Sequence, residues 1–314
     1  MFIYELIGNE SKMKYKKNKS EILRNIKDKF RETWMLFCLI LLILMPIVIG
    51  IGLYYKSHFL FNKISFFEII TSKQWKPLSG NYGLLPFIVS SLWVTFLAVI
   101  IAAPICIFSA IHLTQYAKKW VLSIMHPIID ILAGIPSVIY GVWGIIAVVP
   151  FVQFLGHTLG KQVSGYSILA GAIVLSIMIA PFILNILIDV FKTIPDELLE
   201  ASLSLGSTHW QTIKLVLLRK AFPGIISAVG LGISRAFGET IAVLMVVGNV
   251  VKIPHGVFQP GYPLPALIAN NYGEMLSIPF YDSALMLSAF VLFLVVLLFN
   301  LVSRLAIIRF EKGI

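Results

Sequence analysis

The sequence predicts an all-α polytopic membrane protein with six transmembrane helices, and three observations indicate this fold class. Charged residues make up only 13% of the 314 residues, whereas a soluble domain carries about 25%. Hydrophobic residues make up 58%, and the mean hydropathy is +0.91. Several uncharged stretches are also long enough to cross a bilayer, which takes about 20 residues. A soluble fold, a disordered chain and a nucleic-acid-binding domain are therefore excluded, although the net charge is +10.

The N-terminal third of the chain divides by charge. Residues 1–32 contain nine basic and five acidic residues and are predicted to be a cytoplasmic basic tail. Residues 33–55 are 23 uncharged residues, which is too long for a signal-peptide core and long enough for a first transmembrane helix. We expect an external loop over 56–83 and a core with five further transmembrane helices over 84–310.

Apolar runs locate those five helices. They are predicted at 84–113, 131–160, 162–188, 221–251 and 283–303. With the N-terminus inside, the inner segments contain 18 Lys and Arg residues and the outer segments contain six. Because cytoplasmic segments are enriched in Lys and Arg, this bias predicts that both termini are cytoplasmic.

Few residues suggest a disulfide, a metal site or catalysis. Cys38 and Cys106 lie in apolar runs and are interpreted as small hydrophobic residues, so neither a disulfide nor a metal site is expected. Asp130 follows His126-Pro127 and is expected to cap a helix at the membrane interface, with a proton relay as the less favoured alternative. The sequence contains no phosphate-binding lysine motif and no catalytic set, so we expect neither ATP hydrolysis nor any other enzymatic activity in this chain.

The segment 191–223 is predicted to form two short helices that meet at a glycine. Thr193 with Asp196 and Thr208 with Gln211 have the spacing of helix-capping boxes, and Gly206 is placed for a left-handed C-terminal cap. A segment with this much local definition is either an interfacial hairpin that only connects two spans or a docking surface for a cytoplasmic partner.

The same segment resembles the EAA loop of ABC importer permeases. The resemblance rests on Glu200-Ala201-Ser202, then Gly206, and then Val216-x-Leu218 after nine residues. Ser202 replaces the second Ala of the family pattern, and Arg219 stands where Pro is usual. The resemblance implies that this segment is the coupling loop that docks on the ATP-hydrolysing subunit, with Glu200, Ala201 and Gly206 as the coupling residues.

The apolar run 221–251 contains two charged residues, Arg235 and Glu239. In a continuous helix they lie one turn apart on the same face. A lone Arg at the centre of a transmembrane helix costs on the order of 3 kcal/mol, so the pair is either a buried structural ion pair or part of a substrate pathway. The pathway is favoured, and because a guanidinium binds oxyanions through paired donors, it implies an anionic substrate.

Small residues recur every four positions in the same run, which predicts a stripe for close helix packing. The stripe consists of Gly230, Ser234, Gly238 and Ala242.

Three stretches resemble the PstC family of phosphate ABC importer permeases. The first is Arg-Ala-Phe-Gly-Glu-Thr over 235–240, which continues through Ile-Ala-Val to Gly248-Asn249. The second is Leu-Pro-Phe-Ile-Val-Ser-Ser-Leu over 85–92, and the third is the Ile-Pro-Ser-Val-Ile-Tyr-Gly run within 133–144. The resemblance extends over roughly 84–310 and does not include the tail or the loop at 56–83.

This resemblance implies a permease subunit that forms half of the translocation pathway of an ATP-driven phosphate importer in a bacterial or archaeal cytoplasmic membrane. The implied partners are a PstA-like second permease, two copies of an ATP-binding subunit, an extracytoplasmic phosphate-binding protein and membrane lipid. ATP and Mg²⁺ would bind the ATPase and not this chain. The alternatives are a permease for another oxyanion such as sulfate or molybdate, an ion-coupled secondary transporter and a membrane-embedded enzyme.

Overall fold

The structure is a computed structural model that describes residues 2–61, 64–273, 278 and 280–311. Parts of the predicted segments lie outside the described residues: Lys63, Lys312 and the side chains of residues 2–23, 25 and 26. The chain divides into two compact units, Met1–Leu53 and Tyr54–Ile314. Helix α1 begins in the first unit and ends in the second, and it contains both the predicted tail and the predicted first span.

The described residues are mostly helical. The helices are α1 (Phe2–Phe61), α2 (Phe66–Thr71), α3 (Leu85–Ile111), α4 (Lys119–Gly134), α5 (Ser137–Trp143), α6 (Val149–Thr158), α7 (Ile168–Lys192), α8 (Asp196–Ser204), α9 (His209–Thr212), α10 (Leu218–Gly238), α11 (Ile241–Val246), α12 (Leu264–Asn271) and α13 (Tyr281–Glu311). Single π-helical turns continue α3, join α5 to α6 and join α9 to α10. A two-residue antiparallel hairpin, β1 (Trp75–Lys76) with β2 (Asn81–Tyr82), precedes α3.

Six helical segments of the described chain are long and apolar enough to cross a membrane, which confirms the predicted all-α, six-span fold class. They are Lys27–Leu60, Leu85–Tyr116, Ser137–Thr158, Ile168–Lys192, His209–Gly238 and Tyr281–Leu305.

Helix α7 lies at the centre of the second unit. It packs along α3, and α10 packs against both helices. Most of its buried residues belong to the main hydrophobic core, and Ile179, Ile183 and Leu187 have no exposed surface. Helix α13 then packs against α10. Helix α7 therefore contacts the second, third and fifth spans directly.

The third predicted span, 131–160, does not form one helix. Helix α4 ends at Gly134, Ile135 has an extended backbone, and a new helix begins after Pro136 at Ser137. A residue that precedes proline is disfavoured in the α region, which explains the break. Only 137–158 is a candidate span, and α4 is a separate helix of 16 residues that packs against α7.

The fifth predicted span, 221–251, is displaced toward the N-terminus in the structure. The second of the two predicted short helices is the beginning of the span itself, because α9, a π-helical turn and α10 run without interruption from His209 to Gly238. The predicted capping box of Thr208 and Gln211 starts this helix, with both reciprocal hydrogen bonds formed. The other predicted box is wrong, because α8 follows Pro195 without a side-chain cap.

Candidate substrate pathway and coupling surface

The fifth span ends in a helix break beside its two charged residues. Helix α10 stops at Gly238, Glu239 has an extended backbone with φ −74° and ψ 127°, and α11 begins at Ile241. The predicted placement of Arg235 and Glu239 on one face of one helix is therefore wrong, because residues four apart face each other only within a continuous helix. No ion pair of the described residues involves either side chain.

Glu239 stabilises the break by capping the short helix that follows. Its Oε1 atom accepts a hydrogen bond from the backbone N–H of Ala242 at 3.2 Å. The first N–H groups of a helix have no partner within the helix, and a negative charge near them is favourable. The carboxylate thus has a partner that the sequence analysis did not foresee, since a helix break without a proline gives little signal in the apolar pattern.

Arg235 is exposed in the last turn of α10. A cation is favoured at this end of a helix by the helix dipole. The guanidinium carbon lies over the ring of Phe182 in α7, 4.9 Å from the ring centroid, which is within the range of a cation–π contact. The ring supports the side chain without neutralising its charge, so the guanidinium remains available to an anion.

Two serines of α3 hold a later loop against the helix break. The hydroxyl oxygen of Ser90 accepts from the N–H of Tyr262 at 3.1 Å, and that of Ser91 accepts from the N–H of Leu264 at 2.8 Å. Ser91 and Glu239 both line a small cavity of about 10 Å³ between α3, α7, the end of α10, α11 and this loop. The two serines belong to the Leu-Pro-Phe-Ile-Val-Ser-Ser stretch over 85–91, and no local pattern in that stretch predicts this role.

The four small residues predicted to form one stripe are divided between two helices. A Cβ atom on Gly230 would overlap Ser303 of α13, so α10 and α13 depend on the missing side chain. Ser234 donates its hydroxyl to the carbonyl of Gly230 at 3.1 Å, and Ala242 is fully buried in α11. Gly238 is exposed, and a Cβ there would meet nothing within 4 Å. The single stripe is therefore a wrong prediction, since the helix break turns Ala242 away from the other three.

The predicted coupling residues lie on the exposed helix α8 and the turn after it. Glu200 and Ala201 are exposed, and no residue of α8 is buried. Gly206 has φ +84°, which confirms the predicted left-handed cap. Leu205 beside it is 88% exposed. A cluster of exposed apolar side chains on a polar loop is typical of a contact with another protein.

The departure from the EAA pattern at Ser202 has a structural explanation. Its hydroxyl lies 3.0 Å from that of Thr212 in α9, so it ties α8 to the beginning of the fifth span. The ring of His209 packs edge-on against Tyr116 at 4.8 Å between centroids. Through these contacts α8 and the adjoining turn are connected to two transmembrane helices. A flexible tether would lack such contacts.

Helices α4 and α7 are joined by two polar contacts. Asn185 Nδ2 donates to Asp130 Oδ1 at 2.9 Å, and Lys192 Nζ lies 2.9 Å from His126 Nε2. The predicted role of Asp130 as a helix cap is wrong, because it lies in the last turn of α4 with its side chain directed to another helix. Neither pairing has a sequence signal, since the partners are more than 50 residues apart.

The capping role of Glu239 gives a testable prediction. Glu239→Ala removes the acceptor of the Ala242 N–H and should cost about 1 kcal/mol, the usual loss for a helix cap, which lowers the melting temperature by about 2–4 °C in a chain of this size. Glu239→Gln keeps an oxygen at this position and should lose less than half as much. Thermal unfolding of the purified protein in detergent measures both. Equal losses would show that the charge, and not the cap, stabilises the turn.

Comparison with known proteins agrees with this architecture. Residues 102–314 match the family described as binding-protein-dependent transport system inner membrane component. The probable ABC transporter permease protein YqgH of Bacillus subtilis is 43% identical over 242 residues, which covers 76% of this chain and 77% of the relative. The phosphate transport system permease protein PstC of Xylella fastidiosa (strain 9a5c) is 36% identical over 264 residues, with 79% and 80% covered.

A solved structure shows the same fold at low sequence identity. It is an inward-facing conformation of the MetNI methionine ABC transporter, which superimposes with a TM-score of 0.56 at 22% identity and covers 76% of this chain and 99% of that one. The chain therefore belongs to the family of inner membrane components of binding-protein-dependent transport systems, and it is a multi-pass transport subunit, not an enzyme.

Proposed function

We propose that this chain is one of two permease subunits of an ATP-driven phosphate importer. The observation that carries the proposal is the position of Arg235. It is exposed at a helix break within the membrane-spanning part of the chain, its charge is not neutralised by Glu239, and it is supported by Phe182. A guanidinium presents five donors in a planar fork that suits a tetrahedral oxyanion. The naming of relatives such as the Xylella protein as phosphate permeases supports phosphate as that anion.

The family context adds partners to the proposal. We assign the second half of the pathway to a PstA-like permease, ATP hydrolysis to two copies of an ATP-binding subunit, and delivery to an extracytoplasmic phosphate-binding protein. The ATPase would bind ATP and Mg²⁺ and contact Glu200, Ala201 and Gly206. Both termini would be cytoplasmic, in agreement with the bias in Lys and Arg residues. Alternating access then requires α8 to transmit movement to the fifth span, to which Ser202 and Thr212 connect it.

The nearest alternative is a permease for another oxyanion such as sulfate or molybdate, because a guanidinium binds each of them. Uptake assays on the assembled transporter, with labelled phosphate and an excess of each unlabelled anion, distinguish them. We expect phosphate and arsenate to compete and sulfate and molybdate to have no effect. If unlabelled sulfate competes at concentrations similar to those at which unlabelled phosphate does, the transporter is not selective for phosphate and the proposed substrate is wrong.

Two of the glycines of α10, Gly230 and Gly238, distinguish packing within the chain from packing with the second permease. Gly230→Leu would overlap Ser303 and should reduce folded protein in the membrane. A Cβ atom at Gly238 would meet nothing within 4 Å in this chain, and Gly238→Leu replaces a poor helix former, so we expect the chain to fold as well as before. If Gly238 contacts the second permease, this variant should lose co-purification with that subunit. Normal assembly and uptake by Gly238→Leu would remove Gly238 from the interface.

A further inference from the structure

Three polar side chains and Phe182 lie on one face of α7, in the half of the helix that ends at Lys192. Phe182, Asn185, Asp189 and Lys192 follow each other at intervals of three, four and three residues, so they lie within an arc of about 80° on a regular helix. None of these four side chains is buried. The opposite face contributes Ile183 and other apolar residues to the main core.

Helix α4 runs antiparallel beside this face and adds two more polar groups. The amide of Asn185 donates to Asp130, and the ammonium of Lys192 contacts His126. In the described residues the carbonyl oxygen of Asn185 is buried without a hydrogen-bond partner. The two helices thus form a seam of five polar side chains, defined here as the α4–α7 seam: His126, Asp130, Asn185, Asp189 and Lys192.

The depth of this seam makes contact with lipid unfavourable. Asn185 lies seven residues before the end of α7, which corresponds to about 10 Å along the helix. Asp130 at the same level is exposed. A charged side chain that faces hydrocarbon costs on the order of 3 kcal/mol even on insertion scales, and such residues normally face protein or water. A single amide hydrogen bond satisfies only part of the carboxylate, so the seam must face an aqueous space or another subunit.

The seam begins where Arg235 lies. Phe182, the ring beneath the guanidinium, is one turn before Asn185 on the same face of α7. The polar groups therefore continue from Arg235 to the end of α7 at Lys192, next to the exposed loop that contains α8. An ion that leaves Arg235 toward that end of the bundle would pass donors and acceptors of both charges, where no single group would bind it tightly.

We propose that the α4–α7 seam lines a water-filled inner half of the substrate pathway, through which a small hydrated anion passes from Arg235 to the cytoplasm. This inference rests on the proposed function, which supplies the direction of transport and the orientation of the chain. It goes beyond that function by assigning pathway residues on two helices outside the fifth span.

Thiol labelling of the complete transporter in inside-out membrane vesicles tests the seam. Cys38 and Cys106 are first replaced by Ser and Ala, and single cysteines are introduced as Asn185→Cys and Asp189→Cys. Phe108→Cys is the matched control, because Phe108 is 63% exposed and lies eight residues from the end of its own span at Tyr116. A membrane-impermeant anionic methanethiosulfonate is applied without nucleotide and again with ATP and vanadate.

We expect both seam cysteines to react about tenfold or more faster than Phe108→Cys in at least one nucleotide state, because a thiol in an apolar environment remains protonated and unreactive. Reaction of Asn185→Cys as slow as that of the control in both states would overturn the proposal and place the seam against another subunit. The labelling does not depend on the transported ion. Fast labelling in a transporter that takes up no phosphate would therefore refute the proposed function and leave the seam intact.

Discussion

Arg235→Lys should reduce phosphate uptake by about 10- to 100-fold while the protein remains at normal abundance in the membrane. The estimate corresponds to the loss of a bidentate, charge-assisted contact, which is worth about 1.5–3 kcal/mol. Lysine keeps the positive charge, but it is a point charge and cannot present two parallel donors to one oxyanion. It also cannot cover the ring of Phe182 as a planar group does. Radiolabelled uptake in membrane vesicles, normalised to the amount of the chain, measures the effect.

The control for this prediction is Arg219→Lys. Arg219 is also an exposed arginine of α10, but it lies in the first turn of that helix, far along its axis from Arg235. We expect this variant to transport normally. Near-normal uptake by Arg235→Lys would show that the position needs only a positive charge, and normal uptake by Arg235→Ala would remove Arg235 from the pathway.

The second large effect is expected at the coupling surface. Gly206→Val places a β-branched residue at φ +84°, where such residues are rarely found because of steric strain. Glu200→Lys reverses a charge on an exposed helix. Both variants should insert into the membrane, because neither side chain contributes to the core. We expect ATP-dependent uptake to fall by about tenfold or more, as a coupling free energy above about 1.4 kcal/mol would be lost.

A matched glycine separates local strain from loss of docking. Gly80 has φ +73° and, like Gly206, would accept a Cβ without any contact within 4 Å. Gly80→Val therefore imposes similar strain in the turn between β1 and β2, and it should leave substrate-stimulated ATPase activity unchanged. Normal stimulation in Gly206→Val and Glu200→Lys would refute the coupling role of this loop.

Sequence reasoning was sufficient for the fold class because hydropathy acts over whole spans. Six runs of low charge predicted six transmembrane helices, and the described part of the chain contains six helical segments that are long and apolar enough to cross a membrane. It was also sufficient for the cap at Gly206 and the capping box at Thr208, since both depend on neighbouring residues. The break between α4 and α5 has a local cause in Pro136. The absence of charge over 131–160 nevertheless predicted one continuous span there.

The geometry of the candidate site could not be obtained in the same way. The sequence identified Arg235 and Glu239, but it placed them on one helix, because neither composition nor proline content reveals that the backbone becomes extended at Glu239. The acceptor role of Glu239 toward Ala242 follows from that break. Contacts such as Asn185 with Asp130 depend on how distant helices pack, and no local pattern of a single sequence contains that information.

The central claim, that this chain is half of the pathway of an ATP-driven phosphate importer, is tested most directly by reconstitution. The chain, a PstA-like permease, the ATP-binding subunit and the phosphate-binding protein are assembled in proteoliposomes, and uptake of radiolabelled phosphate is measured with and without ATP. We predict uptake that requires ATP and is lost when this chain or the second permease is omitted. Phosphate uptake by this chain alone without ATP, or ATP-dependent uptake of sulfate with none of phosphate, would contradict the claim.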